Sequence, residues 1–151
     1  MPDIVSPETR SRMMSGIRGR DTKPELMLRR GLHGLGFRFR LQARELPGRP
    51  DIAFPRHGAA LFAHGCFWHG HDCPLFRVPG TRRDFWQAKI DGNRARDAAA
   101  EAALLELGWR VAIVWECALR GRCALSFPAL LDRCAAWLLS DEPRLDLRGL
   151  R

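Results

Sequence analysis

Residues 64 to 73 read HGCFWHGHDC, gathering three of the five histidines and two of the five cysteines of a 151-residue chain into ten positions. Cys66, His71 and Cys73 have the spacing C-x4-H-x-C, and Cys117 follows the apolar run WRVAIVW, where a return of the chain brings a fourth donor within reach. Four soft donors of this kind describe a closed, tetrahedral structural zinc site. Such a site ties two distant stretches of chain together and so restricts every fold that can contain it. A lone cysteine reads as a small buried hydrophobe; the clustering of Cys66, His71 and Cys73 favours metal. Cys123, in a basic loop, and Cys134, at core spacing in the last helix, fall outside the set.

The cysteine count is odd, the N-terminal MPDIVSPETRSRMM lacks the apolar core of a signal peptide, and no apolar run approaches the roughly 20 residues of a spanning helix. A cytoplasmic protein without membrane contact is expected, with thiols kept reduced and available to metal. The formal charge of +8 favours a polyanionic partner, because a basic surface attracts phosphates and releases their counterions. Lys23 and Lys89 are the only lysines. Arginine forks suit phosphate, although codon bias produces the same skew.

Length and a 46% hydrophobic content fit one folded unit. We expect a basic N-terminal arm over residues 1–20, a single domain over 21–139 and a mobile C-terminal tail over 140–151. The arm carries Arg10, Arg12, Arg18 and Arg20, and either orders on a partner or frays. TKPE is a capping box, with Thr22 and Glu25 as its two ends, opening a helix to about Leu35 with a Leu28, Leu32, Leu35 stripe. FRFRL alternates as a strand, and DIAF and AALFAHG form a hairpin. A helical pattern runs from Arg82 to Leu107 with an interruption near Gly92, followed by the buried strand WRVAIVW and a last helix capped by Ser126. The order predicts an α/β fold, a mixed central sheet flanked by helices. It leaves strand order and direction open.

GRPDIAF puts Asp51 at a strand start, and LFAHG ends the next strand with His64. A carboxylate there is how many nucleases present Mg2+ to a phosphate, since the ion takes hard oxygen ligands. Asp after Pro is also a common turn residue. His69 is the candidate base, because an imidazole titrating near about 6.5 accepts a proton from water at neutral pH. Glu116 is a weaker candidate, equally readable as a strand-end charge. Phe67 and Trp68 either stack on bases or cap the core. Trp86, Lys89 or Ile90, Asn93 and Asp97 share a face if their segment is helical.

With LPGRPDIAF, HGCFWHGHDC, DFWQAKIDGNRARD and LGWRVAIVWECALRG assembled, the chain closely resembles the very short patch repair endonucleases from about residue 10 to about residue 122. The resemblance implies a restriction-endonuclease-like fold and an Mg2+-dependent nick 5′ to the thymine of a T:G mismatch left by deaminated 5-methylcytosine. By position, Asp51 resembles the Mg2+ carboxylate, His69 the residue that activates water, and Glu25, His64 and Asp97 the groups that hold metal-bound waters. Cys66, His71, Cys73 and Cys117 resemble the Zn2+ set. Phe67, Trp68 and Trp86 resemble the aromatic wedge, Lys89 and Asn93 its base readers, and the arm around Met14 a minor-groove contact.

Two positions depart from the family pattern. Ala63 stands where Thr is frequent and supplies a metal ligand, which a main-chain carbonyl preserves and a hydroxyl requirement does not. Gly70 replaces a frequent third histidine of the loop. The expected activity is therefore a strand-specific mismatch endonuclease on double-stranded DNA, a monomer that meets mismatch-repair proteins. Its rivals are a zinc-stabilised DNA-binding module without catalysis and a restriction-type nuclease on matched DNA. A pure binder has no need of the pair Asp51 and His69.

Overall fold

The computed structural model describes residues 23–73 and 80–150, so the basic arm, Met14 and Thr22 lie outside the described residues. Along the chain come α1 (Lys23–Gly34), β1 (Arg40–Leu41), β2 (Ile52–Phe54), a 3-10 turn (Pro55–His57) and β3 (Ala59–His64). Then follow α2 (Arg83–Glu106), β4 (Arg110–Trp115), the single turn α3 (Glu116–Leu119), α4 (Phe127–Leu138) and β5 (Arg144–Leu147). The five strands form one sheet in the order β1-β2-β3-β4-β5. β1–β2 and β2–β3 pair antiparallel, β3–β4 and β4–β5 parallel, so the sheet is mixed as expected.

β3 and β4 lie at its centre and are buried along most of their length, which is why AALFA and VAIV read as continuous apolar runs rather than alternating ones. Alternation reappears in which face each residue serves. Ala59, Leu61, Ala112 and Val114 pack with Leu28 and Leu32 of α1 and Leu130, Cys134, Trp137 and Leu138 of α4. Ala60, Phe62, Val111 and Ile113 form a smaller core with Leu104 of α2 on the other face. His64 and Trp115 continue that second parity at the strand ends and therefore emerge on the α2 side. Ser126 caps α4 by accepting the Ala129 N–H at 3.3 Å, as its place in the sequence predicted.

Several expectations are corrected. α2 is unbroken through Gly92, because a single glycine costs a helix only about 1 kcal/mol against Ala. Leu35 lies beyond the end of α1 and is 50% exposed, so it is outside the core. FRFRL contributes strand only at Arg40–Leu41, while Phe37 and Phe39 pack on the core from irregular chain. The segment expected as a tail contains β5: Leu147 pairs opposite Val114 and is fully buried. Four residues between Pro143 and Arg148 are too few to carry a strand signal. No helix among the described residues is long and apolar enough to cross a membrane.

Candidate functional site

Asp51 enters β2, His64 leaves β3, and the chain then turns through the loop 65–73 before α2 crosses the same sheet face. A cavity of about 400 Å³ opens there, lined by Asp51, Ala63, His64, His69, Asn93 and Asp97 among others. The Asp51 carboxylate accepts the Ala63 N–H at 2.7 Å. Desolvation, assisted by the charge of Glu25, raises its pKa to about 7 against the hydrogen bonds from Ala63 and Gln42. A carboxylate this poorly compensated fits a hard dication, which would hold it ionised.

Thr22, the other end of the expected capping box, lies outside the described residues, and Glu25 is held within the site. It is almost fully buried, accepting Gln42 Nε2 on both oxygens at 3.3 Å and Arg29 Nη1 at 3.1 Å. Gln42, which the sequence did not single out, thus joins Glu25 to Asp51. It stands in a polar loop whose composition gives no signal.

His69 and Asp97 meet at 2.5 Å between Nδ1 and Oδ2, both partly exposed to the cleft. The His64 ring lies parallel to that of His69 at 3.8 Å. Burial, with the charge of His69 beside it, pulls the His64 imidazole down to about 3, and its Nδ1 is buried without a hydrogen-bond partner among the described residues. His64 is therefore a neutral ring at physiological pH. The nearest donor atoms of His64, His69 and Asp97 lie within 4.8 Å of one another.

On the far side of His69 the loop brings Cys66, His71, Cys73 and Cys117 together, again with all donor atoms within 4.8 Å. His71 Nδ1 is 3.5 Å from both Cys66 Sγ and Cys117 Sγ, and the Cys117 N–H donates to Cys66 Sγ at 3.3 Å. Burial raises the Cys66 and Cys117 thiols above their ordinary value, and the neighbouring Cys73 adds to it. Thiols buried against each other in this way fit a soft metal ion, which coordinates them as thiolates. Cys134 sits in the core, where burial pushes it up to about 12, and stays outside the cluster as expected.

Trp115, at the end of the apolar run WRVAIVW, stands between the two clusters. It stacks on His71 at 3.9 Å, meets His64 edge-on at 5.2 Å, and donates Nε1–H to Asp146 of β5 at 3.1 Å. Its period-two spacing from Val111 and Ile113 is the signal that puts it on the site's face. Glu116 accepts the Cys66 N–H at 3.2 Å and pairs with Arg120, so it braces the loop.

Phe67, Trp68 and Trp86 pack edge to face or tilted with centroids 5.1 to 6.0 Å apart, partly buried in one another. The Asn93 amide donates to the Trp68 carbonyl at 2.8 Å, tying this trio to α2. On that helix Ile90 is the buried residue and Lys89 lies beside it, partly exposed. Gly70 has φ +61°, and a Cβ there would come within 2.7 Å of Ile90 Cγ2, so this loop and helix pack more closely than a side chain at 70 allows.

A buried carboxylate and a His–Asp pair sharing one cleft, beside clustered aromatics on a strongly basic chain, fit a hydrolase that acts on a polyanion. Comparison with known proteins sharpens this. The family model DNA mismatch endonuclease Vsr matches residues 2–75. The chain is 46% identical over 152 residues to the DNA mismatch endonuclease Vsr of Escherichia coli K12, covering 99% of this chain and 97% of that protein. It is 52% identical over 119 residues to the type II nicking enzyme V.XorIIP of Xanthomonas oryzae pv. oryzae, covering 79% and 88%. With V.NmeAIP of Neisseria meningitidis it shares 39% over 122 residues, covering 81% and 87%. The chain belongs to the Vsr family of DNA mismatch endonucleases, and DNA is its partner.

Proposed function

We propose that this mismatch endonuclease nicks one DNA strand 5′ to the thymine of a T:G mismatch in an Mg2+-dependent reaction. The observation that carries the reading is the His69–Asp97 pair opening on the same cleft as Asp51. Asp51 and the main-chain carbonyl of Ala63 would hold Mg2+, which supplies Lewis-acid stabilisation of the charge that builds on the phosphate. The Ala63 carbonyl is independent of its side chain, so the absent hydroxyl removes no ligand of this kind.

Asp97 accepts Nδ1–H of His69 and thereby fixes the tautomer whose Nε2 lone pair takes a proton from water. Neutral His64, stacked on His69, holds that ring in plane without adding charge. Glu25, His64 and Asp97 are the groups we assign to ordered water. Zn2+ at Cys66, His71, Cys73 and Cys117 would be structural, its donor set closed and leaving no position for substrate.

We assign Phe67, Trp68 and Trp86 as the wedge, Lys89 and Asn93 as base readers and Met14 as a minor-groove contact. A T:G wobble is cheaper to unstack than a paired step, so a wedge discriminates through deformation energy. The site at the ends of the central strands supports a restriction-endonuclease-like reading of the fold. We read the enzyme as a cytoplasmic monomer that meets mismatch-repair proteins on DNA.

Labelled duplexes carrying T:G or T:A, incubated with and without Mg2+, test this. A single nick mapped 5′ to the mismatched T, only with Mg2+, is expected. Binding without cleavage would leave a DNA-binding module, and cutting of both strands of T:A duplex would make it a restriction-type nuclease.

A further inference from the structure

Beyond β5 the chain runs directly against the cysteine cluster. Gly149 N–H donates to Cys117 Sγ at 3.2 Å in a buried contact, and Leu150 N–H donates to the Cys123 carbonyl at 2.7 Å. A Cβ on Gly149 would fall 2.4 Å from the Cys117 carbonyl oxygen and 2.7 Å from that of Cys123. Both obstacles are backbone, so the approach to Cys117 is open only to glycine.

Arg148 reaches across the loop in the other direction. Its Nη2 donates to both the carbonyl and the carboxylate of Asp72, each at 2.7 Å, and Asp72 lies between His71 and Cys73. The Arg148 Nε–H is buried without a partner among the described residues.

From this geometry we infer that Arg148 and Gly149 are positioning residues of the metal centre: the first latches the ligand loop through Asp72, and the second gives Cys117 an N–H···S bond. The inference rests on reading Cys66, His71, Cys73 and Cys117 as a zinc centre. Outer contacts of this type orient ligands and commonly change metal affinity by about 10- to 100-fold. They also explain why a short strand follows α4: parallel pairing of β5 with β4 delivers residues 148–149 to Cys117, which lies just past the end of β4.

The test uses full-length protein loaded with zinc, transfer of the metal to a chromogenic chelator being followed in wild type, Arg148→Ala, Arg148→Lys, Gly149→Ala and Asp72→Ala. Cobalt-substituted samples report the thiolate charge-transfer band. Release about 10- to 100-fold faster is expected in Arg148→Ala and Gly149→Ala, with partial recovery in Arg148→Lys and a shifted cobalt band in Gly149→Ala. Asp72 is 76% exposed at its side chain, so Asp72→Ala folds and should also release zinc faster even if Gly149→Ala does not fold. Wild-type protein that takes up no zinc would overturn the reading of the centre itself. Stoichiometric zinc in wild type, with release and cobalt bands unchanged in the variants, would overturn the role of residues 148–149 alone.

Discussion

Asp51 is the residue at which stability and function oppose each other most directly. Its folded pKa, raised by desolvation to about 7 from an ordinary 3.8, means that the folded protein holds a proton there that the unfolded chain has already lost. Between those two values the folded state binds more protons, so stability falls as pH rises through the window and levels off above it. Asp51→Asn removes the buried charge. In Mg2+-free buffer the variant should melt at the wild-type temperature near pH 4 and above it at pH 8, with the gap opening between; a gap that stays constant with pH would show that the carboxylate is not desolvated in the folded state. The same variant should lose nicking while keeping its affinity for T:G duplex. His64 illustrates the opposite arrangement, a buried imidazole whose neutrality lets it stack on His69 without charge repulsion.

At the scale of elements, the end of β4 couples the two clusters. Trp115 is the last residue of the strand, its ring against His71 on one side and edge-on to His64 and His69 on the other. Replacing Trp115 with Leu should slow cleavage by about 10-fold or more, since small misplacements of reacting groups are costly, with DNA affinity little changed; Trp115→Phe should recover most of the rate. Equal loss of rate and affinity would mean that the ring only supports the fold. The sequence made β3, β4 and α4 readable because each carries a long apolar pattern or a cap. It also made the four-donor cluster readable, because three of its members fall in one short loop. What it could not supply were contacts between segments with no local signal: Gln42 bridging Glu25 and Asp51, Trp115 between the metal loop and the histidines, and β5, whose few residues acquire strand character only from β4 beside them. The break expected at Gly92 failed for a related reason, since the helix is buried on either side of it, Ile90 against the loop at Gly70 and Leu104 against the sheet.

Over the whole molecule, DNA recognition as proposed is divided between charge and aromatic surface. The +8 charge attracts any duplex, and that attraction weakens as salt rises because it depends on released counterions. It carries no information about a mismatch. Under the proposed wedge, discrimination falls instead to the trio of Phe67, Trp68 and Trp86, held to α2 through Asn93. If Trp68 stacks into the duplex, Trp68→Ala should weaken T:G binding by about 1–3 kcal/mol, the usual contribution of a base–aromatic stack, and leave T:A binding nearly unchanged at the same salt. The ratio of the two affinities then falls, and it falls equally at low and high salt, since the phosphate contribution cancels. The ring is partly buried against Phe67 and Trp86, so its removal also costs packing, and a thermal melt of the variant measures that cost separately. A large drop in melting temperature with both affinities reduced in parallel would identify Trp68 as core and remove it from the wedge.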